Sequence, residues 1–106
     1  MATLVRMADY RARPAFVQFE RAELCLLLAL YAGRVAAGEW RDYAIDLGAD
    51  QAVFSVFRHT RERPLFTIAK EPRKQAWVVR SGGRELARSD SLADVLTAVQ
   101  QKPRPV

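Results

Sequence analysis

The segment from Arg58 to Arg63 reads Arg-His-Thr-Arg-Glu-Arg, and it holds the residue types that can cleave a phosphodiester without a metal. His59, the only histidine, can move a proton, and Glu62 can orient its ring. The flanking arginines can stabilise the negative charge that develops on the phosphate. No spacing motif supports this chemistry, and the alternative is a solvated turn. A metal-free ribonuclease is therefore the weaker hypothesis, and the sequence favours a protein that is not an enzyme without deciding the question.

A broader basic surface is predicted for the second half of the chain. Residues 58–106 contain eleven basic and five acidic residues, a net charge of +6, whereas residues 1–57 contain six and seven, a net charge of −1. Cationic side chains interleaved with aromatic rings suit nucleic acid, because arginine binds phosphate and rings stack on bases. The predicted binding residues are Arg58, Arg61, Arg63, Lys70, Arg73, Lys74, Trp77, Arg80 and Arg84.

This uneven charge predicts a small basic binding module whose partner is nucleic acid or an acidic protein surface. The alternative is that Phe66 and Trp77 belong to the core, and that the basic side chains only keep the surface solvated. In that case the charge would describe solubility and would identify no partner.

Two further sets are candidates for recognition. Trp40, Arg41 and Tyr43 combine aromatic and charged groups directly after a helix end, and the alternative is a structural corner with a buried tryptophan ring. Leu26 and Leu30 have no evident place in a one-sided core, so they are candidates for a dimer face. The corresponding alternative function is a homodimeric structural or assembly subunit of a larger bacterial complex.

The composition excludes several classes of site. One cysteine and one histidine exclude a disulfide within the chain and a multi-thiolate or multi-histidine metal site. Asp42, Asp46 and Asp50 are more simply a solvated acidic face than ligands of a divalent ion, so neither a metal nor a cofactor is predicted. No apolar run reaches about 18 residues, and no signal-peptide pattern is present, so we expect a cytoplasmic protein without a membrane span.

Hydrophobic periodicity predicts the secondary structure. Residues 20–37 form a first helix that is apolar nearly all round, and its predicted core face is Ala22, Leu24, Leu27, Leu28, Tyr31 and Val35. Alternating or apolar runs predict strands over residues 40–47, 51–58, 65–70, 76–80 and 84–88. A second, amphipathic helix begins at a capping box of Ser91 and Asp94 and ends before Pro103; its apolar positions are Leu92, Val95, Leu96 and Val99.

These elements predict the α+β class, with an N-terminal helix, a four- to five-stranded antiparallel meander and a C-terminal amphipathic helix. Residues 1–18 are expected to form a flexible arm, residues 19–102 a single domain, and residues 103–106 a tail. The helices are expected to cover one face of the sheet. The other face would stay partly open and serve as the binding surface.

Two stretches of the chain resemble a known family. They read Val-Ala-Ala-Gly-Glu-Trp-Arg-Asp-Tyr-Ala-Ile-Asp over residues 35–46 and Ala-Val-Phe-Ser-Val-Phe-Arg over residues 52–58, with Glu-Arg-Pro-Leu following at residues 62–65. On these residues the chain resembles the domain of unknown function 2794 family, small proteins of alphaproteobacteria, over roughly residues 19–100. The resemblance implies a bacterial, cytoplasmic protein, and it supplies no catalytic residue.

Overall fold

The computed structural model describes residues 16–59 and 63–101, and it confirms the predicted α+β class. The predicted arm over residues 1–18 and the tail lie largely or wholly outside the described residues, as do Arg61 and Glu62. Two helices flank five strands in the order α1 (Arg21–Ala36), β1 (Asp42–Leu47), β2 (Ala52–Phe57), β3 (Phe66–Glu71), β4 (Ala76–Ser81), β5 (Arg84–Ser89) and α2 (Leu92–Gln101).

The five strands form one antiparallel sheet in the order β1-β2-β3-β4-β5, which confirms the predicted meander. A short 3-10 turn, Pro72–Lys74, joins β3 to β4. Gly82 and Gly83 join β4 to β5 with φ angles of 60° and 82°. These left-handed conformations suit the tight hairpin turn whose twist matches that of the strands, and glycine adopts them without steric cost.

Strand alternation separates the sheet into a covered and an open face. The covered face carries the large buried side chains Phe54, Val56, Phe66, Ile68, Trp77 and Val79. Both helices pack on this face, and Leu92, Val95, Leu96 and Val99 of α2 are all buried as the periodicity predicts. The open face consists of the intervening residues, among them Thr67 and Arg80, which are cross-strand partners.

The two helix ends differ in how well the sequence predicted them. The predicted helix over residues 20–37 ends within one residue of the observed α1, and Gly38 follows it with a φ of 80° and an N–H that donates to the carbonyl oxygen of Val35, which is a left-handed glycine cap. At the start of α2, one half of the predicted capping box is present, because the Asp94 N–H donates to Ser91 Oγ at 3.4 Å. The Asp94 carboxylate accepts from the Ser89 hydroxyl rather than from the backbone of Ser91. The Ser91 N–H donates to Ser89 Oγ instead, so a serine of β5 supplies part of the cap.

Helix α1 is rotated relative to the sequence-based prediction. Leu27 is fully buried, and Leu24 and Tyr31 are half-buried, as predicted, but Ala22, Leu28 and Val35 lie exposed. Leu30, predicted for a dimer face, is only 9% exposed and belongs to the core, whereas Leu26 is 48% exposed. The reason is that Leu30 belongs to the same core cluster as the buried residues of α2, and Arg34 on the next turn donates to the carbonyl oxygen of Gln100.

Candidate anion-binding cleft at one end of the sheet

Part of the predicted basic set meets at one end of the sheet. In a meander every second connection lies at the same end, so the β2–β3 connection and the β4–β5 hairpin are neighbours. The register agrees, because Val56 pairs with Phe66, Thr67 with Arg80, and Ser81 with Arg84. This places four of the predicted binding residues at one end: Arg58, Arg63, Arg80 and Arg84.

An open cleft of about 260 Å³ lies between the β2–β3 connection and the β4–β5 hairpin. Its lining consists of Arg63, Pro64, Thr67, Arg80, Gly82 and Gly83, and we refer to it as the cationic cleft. Among the described residues that line it, two are arginines and none is acidic. A Cβ built on either glycine would meet nothing within 4 Å, so the hairpin backbone is open to a bound group.

The chemistry of this lining suits an oxyanion. A guanidinium presents a planar fork of donors that matches phosphate or carboxylate geometry, and its charge shortens and strengthens each hydrogen bond. The Thr67 hydroxyl adds a neutral donor beside Arg80. Sequence reasoning missed Thr67 and the two hairpin glycines, although the strand parity of Thr67 and the Gly-Gly signal were both available.

Taken as a whole, the open sheet face is not a cationic surface. Its strands carry four carboxylates, those of Asp42, Asp46, Glu71 and Glu85, and two arginines, Arg80 and Arg88. The carboxylate of Glu71 is largely buried, and its oxygens lie 3.8 Å from a guanidinium nitrogen of Arg80 and 3.6 Å from one of Arg88. A hydrogen bond from Arg88 lowers the pKa of Glu85, and the same bond raises the pKa of Arg88.

Lys70 and Trp77 do not belong to the open face, which corrects the prediction for both residues. They are cross-strand partners on the covered face, where the Trp77 ring is 8% exposed and stacks on Phe19 at 6.0 Å between ring centroids. The Lys70 ammonium donates to Glu23 Oε1 at 2.7 Å and to the carbonyl oxygen of Gln18 at 2.9 Å. The reason is strand parity, since Lys70 follows Phe66 and Ile68 on the same face.

Arg73 and Lys74 lie at the opposite end of the sheet from the cationic cleft. They belong to the 3-10 turn between β3 and β4, where they line an open cleft of about 370 Å³ together with Asp50, Gln51 and Glu71. Arg73 lies 3.9 Å from the Asp50 carboxylate. Because its acidic and basic residues balance, this second cleft offers a bound anion little net attraction.

The structure also separates the three residues of the predicted recognition set Trp40, Arg41 and Tyr43. Trp40 is buried against Phe66 and Tyr31, so it is a core residue, whereas Arg41 is exposed. The Tyr43 ring lies on the helix-covered side, 4.8 Å from that of Tyr31. Partial burial, with Asp42 and Tyr43 nearby, raises the pKa of Tyr31.

His59 is exposed at the same end of the sheet as the cationic cleft. Its proposed partner Glu62 lies outside the described residues, so the structure does not test the pair. Within residues 16–59 and 63–101, no group of three histidine, cysteine or acidic side chains is placed to hold a metal ion. Neither helix in this part of the chain has the length and hydropathy to cross a bilayer.

Comparison with known proteins gives one match. A family model described as "Protein of unknown function (DUF2794)" matches residues 17–96, which confirms the resemblance seen in the sequence. No curated protein and no solved structure matches the chain. The candidate site therefore rests on the residues of this chain alone.

Proposed function

The chain belongs to the DUF2794 family, and we propose that it is a non-enzymatic binding module that holds nucleic acid by its phosphate groups at the cationic cleft. The observation that carries the proposal is the lining of the cleft, in which Arg63 and Arg80 meet the Thr67 hydroxyl and an open Gly-Gly backbone, and none of the described lining residues is acidic. Arg80 is shared with Glu71, whose carboxylate lies 3.8 Å away outside the lining. We place this activity in the cytoplasm, as expected from the sequence.

The geometry favours phosphate contacts over base contacts. Phe66 and Trp77, the rings expected to stack on bases, are both buried, so they are not available to a ligand. Phosphate contacts carry little sequence information, and they make affinity fall steeply with salt. We therefore expect binding that is weakly dependent on sequence and strongly dependent on ionic strength.

Fluorescence anisotropy with labelled single-stranded RNA, single-stranded DNA and duplex DNA tests this function. The informative variant is Arg63→Ala/Arg80→Ala, which removes both cationic groups of the cleft. Arg63 is expected to neutralise one phosphate, and Arg80, which Glu71 shares at 3.8 Å, to neutralise at most one more. The magnitude of the slope of log K against log salt should therefore decrease by about 0.9 to 1.8 on duplex and by about 0.7 to 1.4 on single strands.

The matched control is Arg73→Ala/Lys74→Ala, which removes the same charge at the opposite end of the sheet. We expect it to leave the salt slope close to that of the wild type. Equal losses of affinity in the two variants would mean that binding follows net charge and not the cleft. No binding to any of the three probes at low salt would reject nucleic acid and turn attention to an acidic protein partner.

One alternative predicted from the sequence, the ribonuclease, is tested with the same samples. A ribonuclease would shorten its RNA with time on a denaturing gel, and His59→Ala would stop that shortening; a binding module leaves the RNA intact. A homodimeric assembly subunit is the other alternative, and the exposed residues of α1 bear on it.

A further inference from the structure

The solvent side of α1 is apolar, which reverses the usual pattern of a surface helix. Its exposed residues are Arg21, Ala22, Cys25, Leu26, Leu28, Ala29, Ala32, Gly33, Val35 and Ala36, and Arg21 is the only charged one. The other two charged residues of α1 point toward the rest of the domain: Glu23 is ion-paired with Lys70, and Arg34 with Glu39. Two of the three charged side chains of α1 therefore pair within the domain, and the side of the helix that faces solvent is mostly apolar.

This apolar side continues onto the edge strand β1. Tyr31 of α1 contacts the Tyr43 ring at 4.8 Å, and this contact bridges the helix and the strand. Beyond it, Tyr43, Ile45 and Leu47 are each about two fifths exposed on the same side of the sheet. We call the exposed side of α1 together with these three residues the α1–β1 face.

We propose that a second copy of this chain covers the α1–β1 face, with α1 of the two copies packed antiparallel about a twofold axis. The inference develops the homodimeric alternative and does not depend on nucleic-acid binding. The size of the face supports a stable interface. Its six large side chains are each 37% to 48% exposed, and exposed small residues of α1 lie between them. Helix α1 has 16 residues, which makes it about 24 Å long, and with the edge strand beside it the face has the extent of a standard interface, which buries roughly 800 Å² per partner.

The near absence of charge on this face allows a second copy to cover it, and the position of the basic residues favours an antiparallel arrangement. The chain carries a net charge of +5, so two copies repel wherever their basic ends approach. The α1–β1 face is nearly free of charge, and its alanines and Gly33 let two helices approach closely. The C-terminal end of α1 lies at the same end of the sheet as the cationic cleft, because Arg41 donates its backbone N–H to the carbonyl oxygen of Phe57 at the end of β2. Antiparallel packing therefore places the two clefts at opposite ends of the dimer.

Two measurements on the full chain without nucleic acid test this inference. Sedimentation equilibrium from low to high micromolar protein should show a monomer–dimer equilibrium. Cys25 is exposed in the single chain and lies within the proposed interface, so its reaction with a thiol reagent should slow several-fold as the dimer forms.

The informative variant is Ala29→Glu, which places a carboxylate in the middle of the exposed side of α1. Its dimerisation should weaken at least tenfold, and its Cys25 reactivity should no longer depend on protein concentration. The matched control is Ala93→Glu, the same change at an exposed position of α2, which should behave as the wild type.

Two results would overturn the inference. One is a monomer at every concentration, with Cys25 reacting as a free thiol throughout. The other is a dimer that is unaffected by Ala29→Glu and leaves Cys25 reactive, since that dimer would use another surface. Neither result bears on nucleic-acid binding at the cationic cleft.

Discussion

Lys70 provides the sharpest test of how the basic residues divide between structure and binding. The sequence places it with the binding residues, whereas the structure places its ammonium against Glu23, the carbonyl oxygen of Gln18 and the Trp77 ring, 5.9 Å from the ring centroid. Lys70→Met removes the charge and keeps an unbranched apolar chain over Trp77. We expect this variant to lose stability without a specific loss of nucleic-acid binding.

The size of the expected loss of stability follows from the burial of the Lys70–Glu23 ion pair. The side chains of Lys70 and Glu23 are 16% and 20% exposed, so water competes with their 2.7 Å contact less than it does at an open surface. Hydrogen bonds to charged groups contribute about 1.5 to 3 kcal/mol, and part of that is recovered by the methionine, so we expect a loss of about 2 kcal/mol. For a domain of this size that corresponds to a fall in Tm of about 8 to 16 °C.

Urea denaturation followed by tryptophan fluorescence measures this loss, and Arg73→Met is the matched control. Arg73 and Asp50 are 3.9 Å apart with side chains 80% and 76% exposed, so their pair contributes only about 0 to 0.5 kcal/mol. Both variants remove one positive charge. In the anisotropy assay both should therefore show the same small decrease in affinity, well below that of Arg63→Ala.

Two results would refute this reasoning. Equal urea midpoints for Lys70→Met and Arg73→Met would show that the buried ion pair does not stabilise the domain. A larger loss of RNA affinity in Lys70→Met than in Arg63→Ala would return Lys70 to the binding surface, as the sequence predicted.

Two further predictions concern the helix and the hairpin. Leu27→Ala should lower the free energy of unfolding by about 2 to 5 kcal/mol, because Leu27 is fully buried, whereas Leu26→Ala at a 48% exposed position should lower it far less. Urea midpoints measured at a concentration where the chain is monomeric would show this difference, and equal losses would contradict the observed rotation of α1. Gly83→Ala should lower Tm by about 4 to 8 °C, because an alanine at a φ of 82° costs about 1 kcal/mol, whereas Gly33→Ala within α1 should raise the Tm of the monomer, because alanine favours the helix. Thermal unfolding by circular dichroism at a concentration where the chain is monomeric checks both, and an unchanged Tm for Gly83→Ala would mean that the hairpin adapts.

Strand β1 and helix α2 could be predicted from the sequence because each carries its large apolar residues on one side only. In β1, Tyr43, Ile45 and Leu47 alternate with acidic or small residues, and α2 repeats its apolar residues at a helical period, so a local pattern indicates which side faces the core. The central strands β2 to β4 bury residues on both faces, and their apolar runs between turn signals predicted them. The sequence of helix α1 contains no such pattern. It is apolar on nearly every side, so its periodicity is compatible with several rotations about the helix axis. Contact with α2, which is 66 residues away at the Arg34–Gln100 hydrogen bond, decides between them.

The candidate site was predictable only in part for a related reason. Grouping residues by charge joined Lys70 and Arg80, although strand parity assigns them to opposite faces: Lys70 shares a face with Ile68, and Arg80 shares one with Thr67. The alternation of side chains along each strand can be read from the sequence, and it would have assigned Lys70 and Arg80 to different faces. The role of Glu71 was not predictable in this way, because its contacts with Arg80 and Arg88 depend on the register between three strands.

The two proposed surfaces lead to a shared consequence. A dimer formed through the α1–β1 face carries one cationic cleft at each end, and the second cleft then meets nucleic acid that is already held by the first. Effective concentration makes such a second contact favourable only when the nucleic acid is long enough to reach both clefts. Affinity should therefore rise with probe length in the wild type and much less in Ala29→Glu, although both proteins keep the same cleft. A length dependence that survives in a monomeric variant would instead indicate a continuous binding path along one chain, and the balanced charges of the open sheet face argue against such a path.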